Sequence, residues 1–533
     1  MTALPPGYAT GQEASLPTRL ILAIDHGSSG VRTALCTARG EVLAFADRPT
    51  PTERLPDGGV EQDPMSWWAA FLEGAREVLT GAARARVVAV ACSSTFSTTV
   101  ACAADGTPVA PALSWQDARG APYVRRLVGG PIQGYGARAL ARWYPATGGA
   151  PTLSGKDDAA HLLFWKHARP EVFSAARWFL GSKDWFNLML SGRAAASFDS
   201  AALFWLTDNR DARDVRYLPR LARALGVDVA RLGPLVPAPT LLGPLRPEVA
   251  AELGLPEGVA VVAGAADLQS ACVGSGAVRD FEAHLYLGTS SWLLCHLPFR
   301  RTDPLHAIAS LPAAIPGRWI AANEQDSAGA CLDWLGRLLF PGAPLGVGAP
   351  DDLHARLDAA AAQVAPGAGG VLFTPWLNGE KTPVDDEKLR GGFHNLGLGS
   401  GAPELVRAVY EGVAYNTRWL LGPLERLVGR RLDPIRVIGG GARSDVWCQI
   451  LADVLDRPLH RVVAPRQANA RGAALIAAVA LGEIAFAEVP ALVPVEARFL
   501  PAGGQRALHD ERFTVFQALH RENRGILHRL NRR

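Results

Sequence analysis

The chain has 533 residues, 48% of them hydrophobic and 20% charged, with a net charge of +3. A chain of this length divides into at least two domains, because single cores stop growing near ~250–300 residues. The small net charge and the lack of a Lys/Arg tract exclude an electrostatic nucleic-acid binder; only 5 of the 54 basic residues are lysines, which reads as coding bias.

Residues 1–17 carry neither a charged start nor an apolar stretch and are read as a flexible leader, not a signal peptide. Apolar strands follow at Leu20–Ile24, Val31–Cys36 and Glu41–Ala46. Asp63 and Pro64 together predict a helix start, an N-cap followed by proline at the first helical position. The helix runs through Trp67, Trp68, Phe71 and Leu72, whose spacing predicts core positions. Val87–Ala91 suits a central strand, and Thr98–Ala103 is expected to pair with it or extend its sheet. Residues 122–255 mix helices with Pro- and Gly-rich connections.

The theme then restarts. A strand at Val259–Ala263 enters a small-residue turn, Ala263–Ala266, and an apolar hairpin spans Leu285–Cys295. Strands are predicted at Trp319–Ala322 and Val371–Pro375, and helices at Pro403–Leu424, Asp445–Leu455 and Ala470–Leu481. Ile435–Ile438 is a strand that enters Gly439-Gly440-Gly441-Ala442, and a basic helix closes the chain at Asp510–Leu530. No apolar run approaches the ~20 residues of a membrane helix. The seven cysteines (Cys36, Cys92, Cys102, Cys272, Cys295, Cys331 and Cys448) form no CxxC pair, as expected of buried, reduced thiols in a cytoplasmic protein.

Two segments share one plan: an apolar strand, a turn of Gly and hydroxyl residues, and another apolar strand. The first turn holds Gly27, Ser28 and Ser29; the second holds Gly288, Thr289 and Ser290. Such turns aim backbone N–H groups and hydroxyls at one point, which suits phosphate oxygens. Competing phosphate loops fail. Gly155-Lys156 is followed by Asp157 where a P-loop needs a hydroxyl, and Gly274-Ser275-Gly276 lacks the third glycine of a dinucleotide fingerprint at Arg279. Asp25 ends the first strand beside its turn. A carboxylate there repels phosphate unless a cation intervenes, and Mg²⁺ takes one or two carboxylates with phosphate oxygens and waters; the plain alternative is that Asp25 caps the turn. Arg32 either reaches the transferred phosphate or is an exposed strand arginine. The triple glycine lets a flat group such as adenine approach the backbone, and is equally a simple strand-to-helix turn.

The chain resembles the FGGY carbohydrate kinases, in their xylulokinase-like branch. The matching segments are Ala23–Val31, Val60–Pro64 with Trp67-Trp68, Trp115–Arg119, Gly264–Asp267, Leu287–Ser291, Leu377–Pro383, Tyr410–Ala414 and Gly439–Asp445 with Trp447. The resemblance implies an α/β, actin-like ATPase fold: two ribonuclease-H-like domains with ATP and sugar in a central cleft. It implies a division into residues 18–279 (sugar-binding), 280–495 (nucleotide-binding) and a helical tail at 496–533. It also implies ATP and Mg²⁺ as cofactors, a small sugar or polyol as partner, no nucleic acid and no membrane, with a homodimer admitted. Asp267 matches the family's general base, a role compatible with its also capping the helix that follows. Gly27, Ser28, Ser29, Arg32, Gly288, Thr289, Ser290, Gly440, Gly441, Ala442 and Asp445 fall on the nucleotide side, with Asp25 as the metal carboxylate.

On the acceptor side the chain departs from that pattern. Xylulokinases usually carry Gln-Met-His-Gly where this chain has Thr95-Phe96-Ser97-Thr98, and Asn where it has Leu268 after Asp267. The Arg-Glu pair of glycerol kinases is missing too. Replacing a polar donor by leucine shifts discrimination by on the order of 10⁴-fold. Thr95, Phe96, Ser97, Trp115, Asp267 and Leu268 are the candidate acceptor contacts, Trp115 being as well suited to a core as to a sugar face. The expected reaction is ATP-dependent phosphorylation of a ketopentose such as D-xylulose; alternatives are a kinase for another hydroxyl compound, or an actin-like ATPase or binding protein without that activity.

Overall fold

The computed structural model describes residues 19–339 and 351–531, so the expected leader at 1–17 lies outside the described residues. Contacts group the chain into two units. Among the described residues the first comprises 19–274, 312–317 and 469–492; the second comprises 275–311, 318–339, 351–468 and 493–531. Neither unit is contiguous in sequence, whereas the expected division was.

The first unit is built on strands β1 (Leu20–Gly27), β2 (Gly30–Thr37) and β3 (Val42–Pro49), helix α1 (Pro64–Val78) and strand β4 (Val87–Ser94). After them come strand β5 (Thr99–Cys102), helices α2 (Asp158–Ala168) and α3 (Ser182–Ser191), strands β6 (Leu241–Pro244) and β7 (Ala260–Ala266), and helix α4 (Asp267–Ser275). Six strands form one sheet in the order β6-β7-β4-β1-β2-β3. β1 and β4 are apolar almost throughout and buried along their length, as expected of central parallel strands covered on both faces. α1 begins as the sequence predicts: the Asp63 side chain accepts a hydrogen bond from the Met65 N–H, and Pro64 opens the helix. Trp67 and Phe71 are completely buried in the core that α1 shares with this sheet.

One expectation fails here. β5 neither pairs with β4 nor extends its sheet; it joins a second, five-stranded sheet. Ser97, between them, adopts φ 56°, and this left-handed residue turns the chain out of the first sheet.

The second unit carries β8 (Ala283–Leu287), β9 (Ser291–Leu297), β10 (Ala309–Pro312), β11 (Trp319–Ala322), helices α5 (Gly329–Leu339) and α6 (Ala402–Val428), β12 (Ile435–Ile438), α7 (Asp445–Leu455) and β13 (Leu459–Val462). Helix α8 (Ala468–Ala480) lies almost wholly in the first unit, and β14 (Val495–Phe499) and α9 (Arg506–Leu530) return to the second. The sheet order is β10-β11-β9-β8-β12-β13-β14. α9 is anchored by Phe516, fully buried, and by the Tyr415 hydroxyl 2.9 Å from His509 Nδ1. All seven cysteines are buried and free of disulfides.

Candidate active site

Three neighbouring parallel strands of the first unit end together. His26 of β1 is in register with Ser94 of β4, and Ser94 with Ala266 of β7. The next residues along each chain are Gly27, the last of β1, and Thr95 and Asp267, just past β4 and β7, so all three stand at one edge. The carboxyl ends of parallel strands are where ligands of open α/β sheets bind.

Asp267 opens α4 and is half-buried, its Oδ1 accepting a 2.8 Å hydrogen bond from the Leu268 N–H. The residues before it are not the turn expected from sequence; they are the last part of β7, interrupted by a bulge between Val262 and Ala265. Gly264 sits in that bulge at φ +67°, where a Cβ would lie 2.1 Å from the Cys92 carbonyl oxygen. Only glycine fits such a left-handed, backbone-crowded position. The bulge leaves the Ala263 carbonyl without a place in the ladder. Lys183 Nζ (2.9 Å) and Asn187 Nδ2 (2.8 Å), both on α3, donate to it. The Ala266 N–H donates to Asp199 Oδ2 at 2.7 Å.

Lys183, Asn187 and Asp199 were missed by sequence reasoning. Lys183 did leave a signal, as one of five lysines in the chain, set among Trp185, Phe186, Leu188 and Leu190. It is buried, and its ammonium also pairs with Asp184, whose other oxygen accepts from Ser200 Oγ at 2.7 Å.

Thr95, Phe96 and Ser97 do come together, in a small, partly open pocket also lined by Asp158, Lys183 and Ala266. Thr95 Oγ1 and Thr98 Oγ1 share a hydrogen bond of 2.9 Å. Leu268 and Trp115 are not among the residues that line it. Trp115 instead reaches the first hairpin, where its indole Nε1 donates to Ser28 Oγ at 2.7 Å, and Gln62 Nε2 donates to the Ser28 carbonyl. Asp117 and Arg119 are buried and bonded to each other, with Glu61 on the same guanidinium.

At the hairpin itself Ser28 and Ser29 are exposed, and Asp25 lies directly across the ladder from Arg32. Arg32 Nη1 donates to Asp25 Oδ2 at 3.1 Å and its Nε lies 3.6 Å from Asp47. Asn469 Nδ2, from α8, lies 3.4 Å from the other Asp25 oxygen. Among the described residues no group of three or more His, Cys, Asp and Glu side chains is arranged to hold a metal. The donor set at Asp25 is one buried carboxylate, which fits Mg²⁺ coordinated mainly by phosphate oxygens and water. His26, beside Asp25, stays neutral because burial pushes its pKa down to about 3.

The second unit holds its own set of turns. β8 pairs in parallel with β12, bringing Tyr286 level with Ile438. The turns that follow, Gly288-Thr289-Ser290 and Gly439–Ala442, therefore stand side by side. The Gly288 and Thr289 carbonyls accept from Gly329, Ala328 and Ala330 N–H groups at the start of α5, leaving the Thr289 side chain exposed. A Cβ on Gly288 would meet the Tyr286 ring at 2.3 Å, and that ring stacks on Trp292 at 3.9 Å. Gly439 has φ +95° and presses on the Leu287 carbonyl, whereas Gly440 is exposed and a Cβ there would meet nothing within 4 Å. Ala442 is fully buried, so only its backbone could face a nucleotide. The Asp445 carboxylate is exposed and paired with Arg461.

Residues 20–274 match the N-terminal domain, and residues 283–481 the C-terminal domain, of the FGGY family of carbohydrate kinases. The chain is 30% identical over 507 residues to xylulose kinase of Escherichia coli K12, covering 94% of this chain and 99% of that protein. It is 23% identical to gluconokinase of Bacillus subtilis, covering 88% of each. The crystal structure of xylulose kinase from Rhodospirillum rubrum superposes with a TM-score of 0.81 at 26% identity, over 96% of this chain and all of that one.

Proposed function

The chain belongs to the FGGY family of carbohydrate kinases, with their actin-like fold, and from that premise we propose that it phosphorylates a hydroxyl of a ketopentose such as D-xylulose with ATP. The observation that carries this reading is the shared strand edge at which Gly27, Thr95 and Asp267 emerge. A carboxylate, a hydroxyl-lined pocket and a phosphate-type turn at one edge are what transfer to an alcohol requires.

Phosphoryl transfer asks a protein mainly to position its reactants and stabilise charge, and to orient one nucleophile. Asp267 takes the proton from the acceptor hydroxyl as that oxygen bonds to the γ-phosphorus. The bond between the γ-phosphorus and the bridging oxygen breaks, and its electron pair leaves on ADP. The Lys183 and Asn187 bonds to Ala263 and the Asp199 bond to Ala266 fix the backbone that aims Asp267. On the first unit the Ser28 and Ser29 hydroxyls suit phosphate oxygens; on the second, Thr289 and Ser290 do the same, and the exposed Gly440 backbone suits a nucleoside. Asp25 is the carboxylate that would hold magnesium, whose charge would offset that of the phosphates.

A second reading, a different ketose or polyol as acceptor, draws on the Thr95-Phe96-Ser97-Thr98 run that stands where the xylulokinase pattern has Gln-Met-His-Gly, and on Leu268 in place of its Asn. The test is an ADP-release assay over pentuloses, hexuloses, pentitols and glycerol. D-Xylulose giving the highest kcat/KM supports the first reading, another ketose or polyol the second, and release above the water background with none rejects both.

A further inference from the structure

The acceptor pocket contains a carboxylate that no step above uses. Asp158, at the start of α2, is 1% exposed, and Thr99 Oγ1 donates to its Oδ1 at 2.6 Å. Thr99 also lies 2.7 Å from His161 Nδ1, so a Thr99 that donates to Asp158 accepts from His161. Burial pushes the His161 pKa down to about 4, which leaves that ring uncharged. Beside Asp158 stands Ser97. Its hydroxyl is buried, lines the pocket and closes no hydrogen bond of good geometry among the described residues. A buried hydroxyl that faces a carboxylate without closing a well-formed hydrogen bond is incompletely satisfied, and Ser97 holds its place in a left-handed conformation besides. Such a group is explained by a ligand that completes it.

The charges facing the pocket limit that ligand. Lys183 is the one cation among its lining residues, and it is committed to Asp184 and the Ala263 carbonyl. Asp157, Asp184 and Asp199 are buried next in sequence to the lining residues Asp158, Lys183 and Ser200, and Asp267 follows the lining residue Ala266. We propose, on the basis of the kinase reading above, that Asp158 is a specificity-determining residue of this pocket. Together with Ser97 it receives hydroxyl groups of an uncharged ketose or polyol, and it shuts out acceptors that carry a carboxylate of their own. Burial raises the Asp158 pKa to about 7, against the pull of the Thr99 and Ser97 hydroxyls. A sugar hydroxyl can answer either form of that group, donating to the carboxylate or accepting from the acid, whereas a sugar-acid carboxylate can only accept.

The test compares D-xylulose, D-ribulose, xylitol and glycerol with D-gluconate, by ADP release and by calorimetric binding, for the wild type, Asp158→Asn and Ser97→Ala. In the wild type the best neutral acceptor should exceed gluconate in kcat/KM and in affinity by at least about 100-fold. Asp158→Asn should raise KM for that neutral acceptor about tenfold, leave kcat within about threefold, and narrow the gap to gluconate at least tenfold. Ser97→Ala should raise the same KM. A wild type that favours gluconate overturns the proposal, and that measurement stands even if both variants misfold. A folded Asp158→Asn with an unchanged ratio also overturns it while ADP release keeps the kinase reading. Selective binding of neutral acceptors without ADP release supports the pocket assignment and rejects the kinase reading; binding of none overturns both.

Discussion

The backbone N–H of Ala266 donates a 2.7 Å hydrogen bond to Asp199, a buried carboxylate 67 residues earlier in the chain. Asp199 Oδ1 has no hydrogen-bond partner among the described residues, and burial raises its pKa. An incompletely satisfied buried acid is a standing cost, and here it holds the residue just before the proposed base. Asp199→Ala should cost about 1–3 kcal/mol in stability by orphaning the amide, and lower kcat about tenfold with KM for ATP unchanged. Asp199→Asn, which keeps an accepting oxygen, should recover most of kcat. Denaturant melts and steady-state kinetics on both variants check this; equal kcat in all three proteins would separate Asp199 from the aim of Asp267.

Asp267→Ala should remove the group that takes the acceptor proton. A positioned general base contributes roughly 10²–10⁴-fold, so kcat should fall by about that factor. ATP affinity, measured by calorimetry, should stay within about twofold, since the substitution leaves every nucleotide-side turn intact. Near-normal turnover with the true acceptor would exclude Asp267 as the base.

Gly440 offers a clean probe of the nucleotide. Its backbone is ordinary right-handed helical, φ −64° and ψ −42°, and nothing crowds the position a Cβ would take. Gly440→Ala should therefore leave Tm unchanged. If the nucleoside lies against this backbone, ATP affinity should fall about tenfold, as one intruding methyl group costs on the order of 1–3 kcal/mol in a close-fitting site. Unaltered ATP binding would place the nucleoside elsewhere.

His161 predicts a pH dependence of stability. Its folded pKa of about 4 lies below the unfolded value of 6.5 because burial disfavours the charged ring. The unfolded chain therefore binds the extra proton first, and the stability present above pH 6.5 is lost as pH falls towards 4. Between pH 7.5 and 5 the wild type should lose about 2 kcal/mol relative to His161→Asn. Chemical denaturation at the two pH values measures the difference; a constant gap would mean that the ring charges without cost.

Local signals in the sequence reached far into the fold. Asp63-Pro64 marked the start of α1, and the strand at Ile435–Ile438 and the helix at Asp445–Leu455 appear with the bounds expected. Both Gly-hydroxyl turns are hairpin tips. What stayed hidden depends on contacts between distant residues. No spacing announces that Lys183 Nζ will meet a carbonyl 80 residues away. Gly264 looked like part of a turn because its small neighbours carry no strand signature, and only the adjacent Cys92 carbonyl explains the bulge. Ser97 is a serine in a conformation usually left to glycine or asparagine, so the chain's departure from the first sheet after β4 had no legible cause.

The first unit is finished by a segment that is made late. α8 sets Leu475 against Gly40 and Arg471 on the Gly274 carbonyl, and brings Asn469 to Asp25. A ribosome that has just completed α4 must add roughly 200 more residues before α8 exists, about 10–40 s at ordinary elongation rates. During that interval the nascent first unit lacks α8 while the second unit is being synthesised. The protein is thus poorly suited to being cut into two separately expressed halves at the boundary between its family domains, and a stop codon anywhere before residue 469 removes part of the first unit as well as the second.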